Sequence, residues 1–393
     1  MNVILKAGRE KSLLRRHPWI FSGAIHQVDE NIASGGTVDL LSFNKQFLAR
    51  ASYSPSSQIR ARVWTFEDEP VDKEFFRRRI RSALVTRHTL QVERSTNAIR
   101  LIYAESDNIP GLIVDRYGDV LVLQSLTAGS EFWKEAIADI LLEETGLSTI
   151  YERSDADVRE LEGLEPKVGI LRGALSSFVF PIIEHNLKFN VNLQSGHKTG
   201  FYLDQRKNRL RVRELAKDKD VLDCFCYTGG FSVNALVGGA RSVLSVDSSG
   251  DALALAKENV SLNDLPADHH TTLEGDVFHL LRKFRDEARS FDMIILDPPK
   301  FAPTAAHAEK ATRAYKDINL LGFKLLRPDG ILVTFSCSGG VDAVLFQKII
   351  AGAALDAVVD AQIVEHMSQG PDHPVALQFP EGAYLKGLIC LRR

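Results

Sequence analysis

From about residue 217 onward, short apolar runs alternate strictly with amphipathic stretches of helical period. DVLDCFC reads as a strand and GFSVNALVGG as a helix; SVLSVD is a strand and GDALALAKENVSLN a helix. TLEGD precedes VFHLLRKFRDEA, FDMIILD precedes a loop and DINLLGFKLL, and GILVTFS precedes DAVLFQKIIAGAA. Units of this length predict parallel strands joined by right-handed crossovers, hence a doubly wound open α/β sheet. Such sheets bind ligands at the carboxyl ends of their strands. Upstream the pattern differs. As far as about residue 65, β-type runs (GTVDLLSF, QFLARASY, QIRARVWTF) alternate with Gly and Ser turns, predicting a small β-rich module. EDEPVDKEFFRRRIRSALVTRHTL follows as a linker and a basic amphipathic helix. Between about 100 and 180, strands (RLIYAES, GLIVDRYGDVLVLQSL, TIYERSD) flank a helix over WKEAIADILLEE, predicting an α+β region. FVFPIIEHNLKFNVNL adds two strands before the Gly-rich SGHKTGFYLDQRKNR.

At 393 residues the chain predicts two or three domains. Apolar content of 45% and charged content of 25% are ordinary globular values. MNVILKAGREKSLLRR turns basic after a few apolar residues, unlike a secretory leader, and no apolar run has the length of a membrane span. Four cysteines do not suggest a disulfide framework, so reduced thiols and a cytoplasmic setting are expected. The net charge of −3 announces no nucleic-acid partner. Local charge is more informative: residues 1–62 carry nine basic side chains against four acidic ones, interleaved with Trp19, Phe21, Phe43, Phe47 and Tyr53. An RNA-facing surface has this composition, because phosphates attract Lys and Arg while unpaired bases stack on flat rings. A solvated face over an aromatic core has it too, and composition alone does not choose.

The rim of the doubly wound region carries an ordered set of acids. The first strand ends in Asp223 and runs through Tyr227 to the pair Gly229-Gly230, which lets the backbone approach a ligand closely. This is not GxGxxG, and without a glycine triad over a pyrophosphate a nicotinamide dinucleotide is disfavoured. The second strand ends in Asp247, 24 residues after Asp223, a spacing suited to ribose hydroxyls. The third ends in Gly275-Asp276-Val277, where a carboxylate can accept an exocyclic amino proton of adenine. Any one of these acids read alone is equally a helix N-cap. Together, with no phosphate cradle, they suit a positively charged nucleoside cofactor such as S-adenosylmethionine. Cys224 and Cys226 have no His near them at ligand spacing, so no metal site is expected.

The fourth strand ends in Asp297-Pro298-Pro299-Lys300, with Phe301 behind. The prolines rigidify the loop. It resembles the Asp/Asn-Pro-Pro-aromatic loops of enzymes that methylate exocyclic nitrogens, except that Lys300 holds the fourth position and the aromatic is displaced to Phe301. The next strand ends in Ser-Cys337-Ser on the same rim. Carbon 5 of a pyrimidine is too weak a nucleophile to take a methyl group directly. A thiolate adding at carbon 6 activates it, and cysteine supplies such a nucleophile. Asp297 is the candidate acid for ring nitrogen 3. The bland alternative is a packed strand-end thiol, as Cys390 in LKGLICL exemplifies.

These residues converge on a known family. The chain resembles the cytosine-5 methyltransferases of bacterial 23S ribosomal RNA that join an N-terminal PUA domain to a Rossmann-like methyltransferase domain, the large-subunit methyltransferase I type. The likeness runs over essentially the whole length. It rests on GREKSLLRRHPWIFSGAI, SPSSQIRARVW, ESDNIPGLIVDRYGD, GHKTGFYLDQR, CYTGGFSVNAL, VDSSGDALALAKENV, DPPKF, YKDIN, TFSCSG and DHPV…FPEGAYLKG. It implies a PUA domain over 1–79, a middle α+β domain over 80–180 and a class I methyltransferase domain over 181–393. It further implies S-adenosylmethionine as cofactor and a cytosine of 23S rRNA as target. By position, Cys337 becomes the nucleophile and Asp297 the base-binding acid. The implied cofactor contacts are Phe201, Asp204, Arg206, Asp223, Tyr227, Gly229, Asp247, Ser248, Asp276, Val277 and Asp297. Arg15, Arg16, Pro298, Pro299, Lys300 and Phe301 become implied RNA contacts. The DPPK loop lacks the second cysteine that other cytosine-5 RNA methyltransferases carry there. An exocyclic N-methyltransferase and a non-catalytic rRNA-binding protein stay open as alternatives. A homodimer is compatible with the β-rich N-terminal module, although nothing in the sequence requires one.

Overall fold

The computed structural model describes residues 1–301 and 308–393. It divides into two compact units. The first comprises Met1–Asn186, Val191–Leu203 and Pro371–Gly382; the second comprises Leu187–Asn190, Asp204–Gly370 and Ala383–Arg393.

Two sheets build the first unit. Six short strands within the first 65 residues pair in the order Trp19–Phe21, Ile59–Thr65, Phe47–Tyr53, Thr37–Leu41, Asn2–Leu5, Ile25–Val28. Their inward positions, among them Val3, Leu5, Val38, Leu40, Ala49, Ala51, Ala61 and Val63, form one core. The period-2 alternation of Thr37–Leu41 is the sequence signature of that half-buried sheet. The second sheet has five strands in the order Lys167–Arg172, Thr149–Ser154, Val120–Ser125, Leu112–Tyr117, Ala98–Tyr103. The helices Lys73–Thr89 and Ala128–Thr145 contribute to its core through Phe75, Phe76, Ile80, Ile137 and Leu141.

Three local differences from the sequence reading have physical causes. GLIVDRYGDVLVLQSL is two antiparallel strands, because Gly118 turns the chain at a positive φ of 59°. The helix expected over WKEAIADILLEE begins five residues before Trp133, at Ala128, because Thr127 and Ser130 close a capping box ahead of it. Lys167–Arg172, absent from the reading, adds an antiparallel edge strand in which neither face is buried, so no alternation marks it.

Buried ion pairs fasten the Pro371–Gly382 segment to this second sheet. Arg87, 1% exposed, donates to both carboxylate oxygens of Asp107 at 2.7 Å and to the carbonyl of Asp372 at 3.1 Å. Arg100 pairs with Asp115 at 2.8 and 2.7 Å, while its backbone N–H donates to the Asp372 carboxylate at 3.1 Å.

The second unit holds a seven-stranded sheet, numbered here in chain order: β1 Asp220–Cys224, β2 Ser242–Asp247, β3 His270–Glu274, β4 Phe291–Leu296, β5 Leu326–Ser336, β6 Ala361–Met367 and β7 Lys386–Arg392. Their spatial order is β3-β2-β1-β4-β5-β7-β6. The first five are parallel. The order reverses between β1 and β4, the switch point where such sheets open a ligand crevice. Leu281, Phe284, Tyr315, Ile318, Leu321, Phe346 and Ile350 from three helices pack on the sheet as one core.

The five strands read as strand–helix units are parallel, and the sheet continues past them at the far edge, where β7 runs antiparallel to both β5 and β6. No long helix separates β6 from β7, and without a crossover helix two neighbouring strands pair antiparallel. β7 therefore starts at the rim where β5 ends, with Lys386 opposite Ser336. A further difference from the sequence reading concerns the paired cysteines. β1 ends at Cys224, and Phe225 turns the backbone left-handed at φ 60°, so Cys226 lies in a loop and not in the strand.

The buried pairs set the first prediction. Asp107→Ala leaves the Arg87 guanidinium buried without its carboxylate and should cost about 3–5 kcal/mol, whereas Arg87→Met with Asp107→Leu should cost far less. Urea unfolding of both variants checks this; equal losses would mean that the charge is not what the site depends on.

Candidate active site at the carboxyl rim of the second unit

Every strand that ends on this rim delivers a polar group. β1 delivers Asp223, which is fully buried. Its Oδ2 accepts from the Ser232 hydroxyl at 2.5 Å, and its Oδ1 has no hydrogen-bond partner among the described residues. Burial pushes this carboxyl up to about 7, and the nearby charges of Asp297 and Asp247 add to the shift. Ser232 and Ser245 share a hydrogen bond at 2.6 Å, and Ser245 meets His270 Nε2 at 2.8 Å. Burial lowers that imidazole to about 4.

The loop after β1 is conformationally costly. Phe225, Tyr227 and Gly229 all have positive φ, at 60°, 51° and 76°. Two non-glycine residues in that region signal strain of the kind that clusters at ligand sites. At Gly229 a side chain is excluded twice over, by its φ and by Ala256 Cβ, which an added Cβ would meet at 2.9 Å. Asp247, ending β2, fixes this loop: its Oδ2 accepts from Tyr227 N at 2.8 Å and its Oδ1 from Ser249 N at 3.0 Å. Ser248 beside it is exposed. Asp276 is an N-cap, one of its two readings, accepting from His279 N at 2.8 Å, and Val277 behind it is buried.

Asp297 follows β4, with Pro298 buried while Pro299 and Lys300 are exposed. Its Oδ2 accepts from the Gln205 side chain at 3.0 Å, and the Gln205 Oε1 accepts in turn from Asn208 at 2.6 Å. Gln205 was missed by sequence reasoning, which named its neighbours Asp204 and Arg206. It sits in a single 3-10 turn, Leu203–Gln205, before the helix Arg206–Leu215, where no periodicity identifies the inward side chain. Asp204 accepts from the Tyr384 hydroxyl, and Arg206 is buried. Phe301 packs its ring 4.8 Å from Tyr315 and 5.7 Å from Phe278, against the core.

Cys337, half-buried, follows β5 between the buried Ser336 and Ser338. The flanking backbone is held from three sides. Ser338 N donates to Ser336 Oγ at 3.3 Å, the Tyr315 hydroxyl meets Ser338 Oγ at 2.9 Å, and Lys386 Nζ donates to the Ser338 carbonyl at 2.8 Å. Burial raises the Tyr315 hydroxyl, and the charges of Cys337 and Asp297 add to the rise, so both groups act on one side chain. The helix carrying Tyr315, Ala308–Leu325, begins nine residues before the expected DINLLGFKLL; the preceding loop falls partly on 302–307, outside the described residues. Tyr315 and Lys386 lay within quoted motifs, but their link to Cys337 exists only in three dimensions.

The remaining candidates belong to the first unit. Phe201 is buried, and its N–H donates to the Tyr117 hydroxyl at 3.1 Å. Arg15 and Arg16 are exposed; Arg16 has φ 59°, lies 3.6 Å from Glu67 and stacks over Phe66. Among the described residues, no group of three or more His, Cys, Asp or Glu is arranged to hold a metal ion, and no helix is long and apolar enough to cross a membrane.

Comparison with known proteins decides the family. Residues 3–66 match the model of a PUA-like domain, and residues 172–388 match that of an S-adenosylmethionine-dependent methyltransferase. The chain is 50% identical over 389 residues to a ribosomal RNA large subunit methyltransferase I of Klebsiella pneumoniae, covering 99% of this chain and 97% of the relative. A protein of the same name from Shewanella amazonensis is 49% identical over 390 residues, covering 99% and 98%. The chain belongs to the ribosomal RNA large subunit methyltransferase I family. A SAM-dependent methyltransferase from Streptococcus mutans, at 22% identity and a TM-score of 0.86 over 100% of both chains, shares the fold. So does a methyltransferase solved with SAH, at 23% identity and 0.87 over 100% of both.

The cofactor of this large-subunit methyltransferase I family member is S-adenosylmethionine, and the rim fits it. A buried carboxyl with one oxygen unpartnered among the described residues suits a cationic group, and the cofactor carries an ammonium. Asp247 ends the strand beside β1 on the same rim, and the backbone at Gly229 has no room for a side chain. A carboxyl titrating near 7 is neutral below that pH and ionised above it, so a cation binds better as pH rises. Affinity for S-adenosylmethionine should therefore grow by up to about tenfold per pH unit below 7 and level off above it. Calorimetry across that range checks this, and Asp223→Asn should flatten the profile. A flat wild-type profile would remove Asp223 from cofactor binding.

Proposed function

We propose that the protein methylates carbon 5 of one cytosine in 23S rRNA, through a covalent adduct between Cys337 and carbon 6. The observation that carries this reading is a half-buried thiol on the rim that also bears Asp297, both within range of Tyr315, in a family named for large-subunit ribosomal RNA. S-adenosylmethionine supplies an electrophilic methyl group whose transfer leaves a neutral thioether. In the steps carried by this chain, the Cys337 thiolate forms a bond to carbon 6. The electron pair of the 5,6 double bond moves toward ring nitrogen 3, where Asp297 provides a proton. Carbon 5, now nucleophilic, takes the methyl group. Loss of its proton to water then re-forms the double bond and breaks the carbon–sulfur bond, returning Cys337 as thiolate, while nitrogen 3 gives its proton back to Asp297. Gln205 orients Asp297 for this work by its hydrogen bond to Oδ2.

Division of labour follows the three segments. Residues 1–79 hold flanking RNA through phosphate contacts that include Arg15 and Arg16; residues 80–180 link the two; residues 181–393 carry the chemistry. Phe201, Asp204, Arg206, Tyr227, Gly229, Ser248, Asp276 and Val277 complete the cofactor contacts. Pro298, Pro299, Lys300 and Phe301 border the base, which must leave its stack to be reached.

The test is nucleoside mass spectrometry of unmodified 23S RNA after incubation with labelled S-adenosylmethionine. The wild type should yield 5-methylcytidine, and Cys337→Ala should yield none. Label on an exocyclic nitrogen, or methylation surviving the substitution, would return the reaction to the DPPK loop alone. Reversing charge at Arg15 and Arg16 together should weaken RNA binding and reduce its salt slope by about two. Unchanged binding in a filter assay would move the RNA surface elsewhere.

A further inference from the structure

Lys386 is half-buried at the start of β7 and, among the described residues, forms no ion pair within 4.0 Å. Lysine ammonium groups are rarely taken out of water without a partner, because the desolvation cost is uncompensated. One of its three donors goes to the carbonyl of Ser338, the residue immediately after Cys337, at 2.8 Å. The register fixes this neighbourhood from the other side, since Lys386 lies opposite Ser336, the residue immediately before Cys337. The ammonium is thus held by backbone pairing and a hydrogen bond alongside the thiol, on the far side from Asp297's strand.

We propose that Lys386 is the positioning cation that holds Cys337 as a thiolate, ready to attack. The assignment rests on the reading of Cys337 as the nucleophile and adds the group that activates it. Among the described residues, three charged or titratable groups act on the ammonium. Cys337 and the carboxylate of Asp342 favour its charged form, while Lys300 opposes it. Asp342 is committed elsewhere, since its Oδ1 accepts from Leu345 N at 2.7 Å as a helix cap. Burial is the largest influence and lowers the Lys386 pKa. The coupling is reciprocal: an anion at Cys337 stabilises the ammonium, and the ammonium stabilises the thiolate by the same energy. A cation beside a thiol is the ordinary means of lowering its pKa into the working range. Cys224 and Cys226, buried with no such cation and near Asp223, are pushed well above the usual thiol value and stay inert.

The experiment reads the thiol directly. Iodoacetamide alkylation of Cys337, followed by peptide mass spectrometry across pH, is compared in the wild type, Lys386→Met, Lys386→Gln and Lys386→Arg. Removing the charge should shift the half-maximal pH upward and slow alkylation at neutral pH by about tenfold or more, the equivalent of one pKa unit. Lys386→Gln keeps a donor for the Ser338 carbonyl without the charge and should behave like Lys386→Met, whereas Lys386→Arg should restore the wild-type profile. S-adenosylmethionine binding, measured in parallel, should be retained by all three and certifies their fold. Superimposable profiles for wild type, Met and Gln variants overturn the assignment, as does a Gln variant that behaves like wild type. If Cys337→Ala is inactive while those profiles coincide, only the role of Lys386 falls. If Cys337→Ala keeps its activity, the nucleophile reading falls whatever the profiles look like.

Discussion

Backbone pairing on both edges of β5 is the constraint on which the candidate site depends. Its one edge is registered against β4 in parallel, Leu296 against Thr334, and its other against β7 in the opposite sense, Ser336 against Lys386. A strand held on both sides cannot slip by one residue without turning every side chain to the wrong face. The end point of β5 is therefore fixed, and with it the emergence of Cys337. The antiparallel partner does more than close the edge. A parallel neighbour would bring another carboxyl end to the rim, whereas β7 brings its amino end and so delivers Lys386 to the place where β5 stops. Chain direction, not proximity in sequence, assembles the pair.

The same rim gathers three carboxylates, Asp223, Asp247 and Asp297, at the ends of neighbouring strands. Burial makes Asp223 costly to ionise, and the charges of Asp297 and Asp247 add to that cost. Its hydrogen bond from Ser232 offsets part of that cost and its second oxygen is unsatisfied among the described residues. An apolar residue at 223 would pack more cheaply, since an unpartnered buried polar atom costs about 1–3 kcal/mol. The left-handed Phe225 and Tyr227 add strain in the same loop. Instability of this kind persists where a ligand removes it, and a cofactor with an ammonium and a sulfonium is such a ligand.

Much of this was legible in the chain. The parallel strands β1, β2, β4 and β5 are largely buried and rich in apolar residues, and the acids at the ends of the first three stand out against that background. Cys337 was visible for the same reason, as a polar interruption at a strand end. What was not legible depended on partners distant in sequence. Gln205 reaches Asp297 over 92 residues from within a turn that has no period. Lys386 reaches Ser338 over 48 residues, and its motif gave no sign that its strand would run against the others. Asp276 looked like its fellow acids, yet it sits at the first turn of a helix and caps it. Sequence pattern does not separate a rim acid from a cap when strand ends and helix starts coincide.

Cys337 also illustrates why a reactive thiol must be only half-buried. Fully inside, as Cys224 and Cys226 are, a thiol is held protonated by desolvation and packs as a small apolar group. Fully exposed, it would titrate at its ordinary value and be open to oxidation. At the strand end its exposure is intermediate while the peptides around it are fixed by Ser336, Tyr315 and Lys386. The sulfur can then meet a base without the backbone giving way, and the electrostatic setting is built from strands and helices rather than from a loop. Rigidity in the support and access at the atom are separate requirements, and the reversal of β7 lets one short segment meet both.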